Sequence, residues 1–190
     1  MLGLSNGITS VSAPSSRVLL NTYTADFTSD ADGFGDLSHN DVAATFTANQ
    51  SIGGQDGCLK VIAETNESSL WGIRKNSGVF TSVREGDYIH VTCKIYLDTT
   101  GGAWGTGDAS AVVPIYMAMG STYDNMNVSK NTWVDWDSEA LPSGALDSDL
   151  ATGVTPGISI YSINTARPAE HAAMFIKDLV VKQYRSQLFA

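Results

Sequence analysis

Residues 172–184 read AAMFIKDLVVKQY and form the last long apolar run of the chain. Side chains alternate between the two faces of a β-strand with a period of two. The apolar side chains of this run occupy both parities: Phe175, Leu179 and Val181 on one, and Met174, Ile176 and Val180 on the other. Because both faces then need cover, the pattern favours a central strand over an edge strand. We predict that this strand closes a β-sandwich whose partner strands come from the first half of the chain.

Residues 88–97, YIHVTCKIYL, show the clearest alternation in the chain. The odd positions are predicted to face the core, and they are Ile89, Val91, Cys93, Ile95 and Leu97. Shorter segments of similar character follow one another between turns rich in Gly, Asp and Pro, which gives about nine or ten strands and no long helical periodicity. The chain is therefore predicted to be an all-β antiparallel sandwich.

The N-terminal segment differs from the rest because it is small, Ser/Gly-rich and only weakly apolar. Such a segment cannot bury enough surface to fold alone. Four apolar side chains give it something to bury against a partner: Leu2, Leu4, Ile8 and Val11. We predict an anchoring arm over residues 1–21, followed by the sandwich over residues 22–190. No cationic region precedes an apolar stretch here, so we expect no signal peptide.

Composition narrows the classes of partner. The chain has 190 residues, a formal net charge of −9 and 16% charged residues. Nucleic acids and anionic membranes need a basic surface, so neither is expected as a partner. No apolar run approaches the roughly 20 residues of a membrane span. Neutral glycans and divalent cations stay open as ligands.

The two cysteines, Cys58 and Cys93, lie in separate predicted strands. Cys93 shares the parity of its apolar neighbours, whereas Cys58 has the parity opposite to Leu59 and Val61. The two thiols are therefore predicted to point to different faces. We expect no disulfide between them, because a disulfide requires Cβ atoms that face each other.

Four stretches together resemble the jelly-roll carbohydrate-binding modules. They are ADFTSDADGFG at 25–35, GCLKVIAE at 57–64, REGDYIHVTCKIYL at 84–97 and AMFIKDLVVKQY at 173–184. In that family the closing strand has an aromatic residue followed by Ile-Asp-Asp-Val; here Phe175 and Ile176 match, and Lys177 replaces the first Asp. The resemblance covers about residues 22–186 and implies a jelly roll, although that fold hosts many functions.

The same resemblance implies a structural calcium ion between the opening and closing strands. The matching positions are Asp26 and Asp178. Lys177 removes one acidic ligand, and calcium prefers oxygen ligands. The alternative is that these aspartates lie on the surface or cap turns. No other cofactor is expected.

A second resemblance lies in LGLSNGITS, residues 2–10. This stretch is similar to the short leaders of tailed-phage structural proteins, which precede lectin-like sandwiches. It implies a virion location and an arm that docks on capsid or tail proteins.

Catalytic motifs were sought without success. His39, His90 and His171 are isolated, and the acid pairs Asp135/Asp137 and Asp147/Asp149 are merely two residues apart. Glycoside hydrolysis needs two carboxylates that face each other across a cleft. The chain is predicted not to be an enzyme, and a glycan hydrolase rests on fold analogy alone.

Aromatic residues are the remaining candidates for ligand contact: Trp104, Tyr123, Trp133 and Trp136. Sugars stack on exposed aromatic rings. The alternative is that Trp71, Trp133 and Trp136 belong to the core or to a subunit interface. Trp104 lies in a Gly-rich loop and is expected to be exposed or covered by a partner.

These observations lead to two main hypotheses. The first is a non-enzymatic phage virion structural protein of the capsid decoration, fibre or tail type, forming a trimer or dimer and touching host polysaccharide. The alternative is a carbohydrate-binding module of a secreted or cell-surface protein.

Overall fold

A computed structural model describes residues 17–36, 44–64, 71–75, 78–80, 84, 87–105, 110–117, 123–138, 158–162 and 168–186. Eleven strands lie in these ranges: β1 (Arg17–Thr24), β2 (Gly35–Asp36), β3 (Ala44–Ile52), β4 (Gln55–Ala63), β5 (Trp71–Lys75), β6 (Tyr88–Asp98), β7 (Ser110–Met117), β8 (Tyr123–Ser129), β9 (Trp133–Asp137), β10 (Ile158–Ser162) and β11 (Ala173–Ser186). Among the described residues, no helix is long and apolar enough to cross a bilayer. The prediction of an all-β chain is confirmed.

The strands form two antiparallel sheets. The first sheet has the order β3-β4-β11-β6-β9, and the second has the order β2-β5-β10-β7-β8. β6 pairs with β11 over most of its length, whereas β4 pairs with the first part of β11 and β1 with the last part. β4 and β1 therefore share the edge of β11 that β6 does not use. This makes β11 a central strand, as predicted.

A β-bulge divides β11 into two parts. The register with β6 shifts between Lys177 and Val180, and Asp178 has a φ of 51°. Met174 and Ile176 face the main core before the bulge, and Leu179 and Val181 face it afterwards. The single parity expected for the whole run is therefore wrong, because a bulge adds one residue and exchanges the two faces.

The main core lies between the two sheets. The five odd positions of β6 from Ile89 to Leu97 are all buried in it, as the alternation predicts. Cys93 belongs to this core, whereas Cys58 packs with Ala173 and Phe175 on the other face of the first sheet. Both thiols are free, and burial raises the pKa of each. The prediction that they point to different faces is confirmed.

A network of hydrogen bonds surrounds Asp87 at one end of the core, and the Asp87 side chain is fully buried. Arg185 Nε lies 2.7 Å from one carboxylate oxygen, and Gln183 Nε2 lies 2.5 Å from the other. Burial opposes ionisation of Asp87, but the hydrogen bonds from Arg185, the Arg84 N–H and Gln183 outweigh it and hold its pKa below the usual value. This network joins the end of β11 to the start of β6.

The predicted boundary between residues 21 and 22 falls inside β1, which begins at Arg17. Residues 17–21 are thus part of the sandwich, because β1 pairs with β11 along its length. The anchor residues proposed from the sequence lie outside the described residues: Leu2, Leu4, Ile8 and Val11. Three large apolar side chains of β1 are exposed: Val18, Leu19 and Leu20.

Candidate functional site

Trp104 is buried, with 1% of its surface exposed. Its Nε1 donates a hydrogen bond to the Asp98 carbonyl at 3.1 Å, and its ring meets Trp71 edge to face at 5.4 Å. The expectation of an exposed Trp104 is wrong. The Gly-rich loop that contains Trp104 packs closely against residues 170–172. A Cβ added at Gly101 would lie 2.3 Å from the His171 carbonyl oxygen. This close approach places the indole of Trp104 in the core.

The other three predicted aromatic residues do not form one platform. Trp136 is fully buried in the main core, which matches the alternative reading of that residue. Trp133 lies three residues earlier in β9 and faces the opposite side of the first sheet. Tyr123 belongs to β8 in the second sheet, where its backbone pairs with Tyr116. Trp133 alone therefore lies near further aromatic side chains of the first sheet.

The surface of the first sheet that points away from the main core is here called the outer face. Three aromatic rings cluster at one end of it. Tyr96 lies 5.5 Å from the Trp133 ring and 6.2 Å from the Phe175 ring, measured between centroids. Phe175 is 3% exposed, whereas Tyr96 and Trp133 are half-buried. This cluster is separate from the main core and borders the solvent.

The β3–β4 turn arches over this aromatic cluster. Trp133 Nε1 donates to the Ile52 carbonyl at 3.0 Å, although β3 and β9 are the two edges of the sheet. In a flat sheet these edges would be about 19 Å apart. Gly53 fits so tightly that a Cβ there would lie 3.0 Å from Trp133 Nε1. The turn therefore reaches across the outer face and covers one end of it.

The rest of the outer face follows from the register of β11 and β6. Paired across these strands are Phe175 with Tyr96, Lys177 with Lys94, Val180 with Thr92, Lys182 with His90, and Tyr184 with Tyr88. The face thus runs from an aromatic row through cationic and small side chains to a second aromatic row. The two rows are eight residues apart along β6, or about 26 Å.

The second aromatic row is also half-buried. The Tyr88 and Tyr184 rings are 6.1 Å apart, and the Arg17 guanidinium lies 3.6 Å from the centre of the Tyr88 ring. Between the two rows, His90 Nε2 lies 2.7 Å from Asp137 Oδ1. An elongated surface with aromatic rings at both ends and hydrogen-bonding groups between them can accept a linear polymer of polar rings.

Asp26 and Asp178 lie close together in the fold, and each carboxylate has a partner within the chain. The Ala25 N–H donates to the Leu179 carbonyl at 3.0 Å, which places Asp26, just after β1, near Asp178 of β11. Asp26 Oδ1 accepts hydrogen bonds from the Thr28 hydroxyl and N–H, which lower its pKa, so Asp26 caps a turn. Asp178 Oδ2 lies 3.9 Å from Lys94 Nζ. Within the described ranges, no three His, Cys, Asp or Glu side chains form a metal site.

The acid pair on β9 does not have the arrangement of a glycosidase site. Asp137 contacts His90, and Asp135 is the register partner of Lys94. Both lie on one strand of the outer face, so they do not oppose each other across a bound sugar. The other pair, Asp147 and Asp149, lies outside the described residues.

The chain matches no protein-family model, and no curated protein matches it in sequence. Solved structures do share its architecture. An arabinose-bound α-L-arabinofuranosidase is 9% identical with a TM-score of 0.55, and the match covers 80% of this chain and 23% of the enzyme. The CBM22-1 and GH10 modules of xylanase 10B from Clostridium thermocellum, complexed with xylohexaose, are 15% identical with a TM-score of 0.50, and the match covers 88% of this chain and 28% of that one.

A family 11 carbohydrate-binding module from Clostridium thermocellum is 10% identical with a TM-score of 0.48, over 84% of this chain and 94% of the module. The present chain spans about a quarter of the length of the arabinofuranosidase and of the xylanase structure. At these identities the likeness concerns the fold. The predicted antiparallel jelly-roll sandwich, of the kind found in carbohydrate-binding modules, is confirmed.

Proposed function

We propose that this chain is a non-catalytic glycan-binding module and that the outer face of the first sheet is its binding surface. The observation that carries the proposal is the pair of aromatic rows at the two ends of the outer face, in which Tyr88, Tyr184, Tyr96 and Trp133 are half-buried. Aromatic rings offer large apolar area at low entropic cost, and the polar side chains between them supply the hydrogen bonds that orient a ligand.

The fold likeness supports the architecture, and the choice of surface rests on this chain's own residues. Trp104 and Trp136 are buried and leave no ring surface for a sugar, so the predicted contacts shift to Trp133 and to side chains that the sequence did not single out. These are Tyr96, Tyr88 and Tyr184. Tyr123 stays a prediction, since its side chain lies outside the described residues.

The test is a binding screen of the full chain against soluble plant, bacterial and algal polysaccharides by affinity electrophoresis and calorimetry. Tyr184→Ala should lower the affinity about tenfold, because the lost stacking of about 1.4 kcal/mol corresponds to a factor of ten. Tyr23→Phe is the control, since Tyr23 packs against the main core, away from this face. Absence of binding across the screen, or equal binding by both variants, would contradict the proposal.

The proposed module turns over no glycan. The same screen, followed by a reducing-sugar assay, checks this. Release of oligosaccharides by the purified chain would favour the hydrolase hypothesis instead.

A virion structural role remains a second candidate. The observation that favours it is the exposed apolar strip Val18–Leu20, which lies within the predicted arm of residues 1–21 and would suit docking on a capsid or tail protein. This hypothesis predicts that removal of residues 1–16 abolishes incorporation into particles. It also predicts a dimer or trimer by light scattering. Both roles are compatible if a virion protein contacts host polysaccharide.

A further inference from the structure

The outer face carries most of the lysines of a chain whose net charge is −9. Four of the six lysines lie on it: Lys60, Lys94, Lys177 and Lys182. The two lysines elsewhere are both held by other parts of the chain. Lys75 Nζ lies 3.4 Å from Asp32 Oδ1, and Lys130 Nζ donates to the Trp104 carbonyl. Lys94 and Lys177 also have partners in the chain, but they border the proposed binding surface.

Two lysines of the outer face lie directly opposite each other, and carboxylates lie beside one of them. Lys94 and Lys177 are direct register partners on β6 and β11. Like charges directly opposite each other destabilise an antiparallel pair. Lys177 Nζ contacts the neutral Gln55 side chain at 3.1 Å, and the carboxylate of Asp178 is 3.9 Å from Lys94 and half exposed. Asp135, the register partner of Lys94 on β9, and Asp178 offset part of this repulsion, and an incoming anion would add to that compensation.

Further along the face, Lys182 lies beside His90, and Lys60 Nζ lies 5.6 Å from the centre of the Phe175 ring. The register places Lys94, Lys177 and Lys182 between the two aromatic rows, and Lys60 lies beside the first row. Lys94 and His90 are four residues apart on β6, about 13 Å. A ligand that fits this pattern stacks its rings on the aromatic rows and presents negative charges at wide intervals.

We propose that the outer face selects acidic polysaccharides, whose sugar rings carry carboxylate or sulfate groups. This inference rests on the proposed function and specifies its ligand class. Nucleic acid fits less well because duplex DNA carries one charge per roughly 1.7 Å of its axis. The cationic rows of this face are about 13 Å apart, which matches a polymer whose charges are more widely spaced.

The experiment measures binding of the full chain to polygalacturonate, a sulfated galactan and neutral xylan, with duplex DNA as a further probe. At about 20 mM NaCl at least one acidic glycan should bind about tenfold more tightly than xylan, and at about 500 mM NaCl this difference should vanish. Preference for polygalacturonate assigns carboxylate as the anion, and preference for the galactan assigns sulfate. Stronger binding of DNA than of either acidic glycan would overturn the inference.

Charge variants test the residues. The double substitution Lys94→Gln/Lys177→Gln should lower low-salt affinity for the acidic glycan about tenfold and leave xylan binding unchanged. Lys94→Arg/Lys177→Arg keeps the charge and should restore affinity. Lys75→Gln removes one positive charge away from this face and should have no effect on binding. Because the Gln variants remove a repulsive pair, they should not unfold more easily than the native chain.

Two failures are distinguishable. If acidic and neutral glycans bind equally at every salt concentration while Tyr184→Ala still weakens them, the charge inference is overturned and the glycan-binding function stands. If no glycan binds at all, both are overturned.

Discussion

The two faces of the first sheet have opposite designs although they share the same strands. The inner face carries close-packed apolar rows, and the outer face carries aromatic rows at its two ends with charged and small side chains between them. Trp133 and Trp136 show the contrast within one strand: Trp136 is fully buried among core residues, whereas Trp133 is half-buried beneath the β3–β4 turn. The inner face supports stability, and the outer face has surface left for a ligand.

The two tryptophans therefore provide a direct test of this division. Trp136→Ala should lower the free energy of unfolding by about 3–5 kcal/mol, since it leaves a large cavity in the core. Trp133→Ala should lower the free energy of unfolding by about 1–2 kcal/mol. The loss is smaller because the half-buried Trp133 side chain buries less apolar area than Trp136 does. Urea denaturation followed by circular dichroism measures both values. Equal losses would mean that the outer face is as much a core as the inner one.

Asp87 tests the polar end of the inner face. Its carboxylate is fully buried and paired with Arg185, so Asp87→Ala should cost about 3 kcal/mol by leaving the guanidinium without its partner. Lys94→Ala, which removes one member of the more exposed Lys94–Asp178 pair, is the matched control and should change stability by less than about 1 kcal/mol.

The same residue gives the chain an acid-sensitive component of stability. The pKa of Asp87 is lower in the folded chain than in the unfolded chain. Its contribution is therefore complete above the unfolded pKa of about 3.9 and is lost as the pH falls through the folded pKa. The Asp87→Ala variant should show a shallower fall of unfolding free energy below about pH 4 than the native chain. Parallel pH profiles would contradict the assigned role.

The sequence predicts the inner face better than the outer one, for physical reasons. The alternation of residues 88–97 identified the buried row of β6 completely, because one unbroken strand keeps one parity. The closing strand was predicted less well because the bulge at Asp178 exchanges its faces, and Asp tolerates a positive φ without a distinctive sequence signal.

Trp104 illustrates a second limit. A Gly-rich loop usually suggests exposure, yet here the missing side chains of Gly101 and Gly102 allow a close approach to residues 170–172 that buries the indole. The spacing of Trp133 and Trp136 did contain a usable signal, since residues three apart in a strand face opposite sides. The lysine cluster contained none, because it depends on the register of β4, β6 and β11.

The β3–β4 turn separates the effect of backbone strain from the effect of a contact on the outer face. Gly53 and Gly54 both have positive φ, of 56° and 77°, so Ala at either position costs about 1 kcal/mol in strain. Only at Gly53 does the new Cβ meet Trp133, at 3.0 Å, whereas Gly54 has open space around it. Gly53→Ala should therefore destabilise more than Gly54→Ala and shift the tryptophan fluorescence to the red. Identical behaviour would mean that the turn does not cover Trp133.

The smallest effect concerns the calcium ion that the family resemblance implies. Asp26 already caps the turn at Thr28, and Asp178 faces Lys94, so the two carboxylates have partners without a metal. Adding calcium or a chelator should change the melting temperature by less than about 2 °C, since ligand binding stabilises only as far as it favours the folded chain. If calcium raised the melting temperature of the native chain well above this limit but did not raise that of Asp178→Asn, the aspartates would bind the ion after displacing Lys94. That result would also remove one partner of Lys94 from the outer face and increase the charge that an acidic glycan meets.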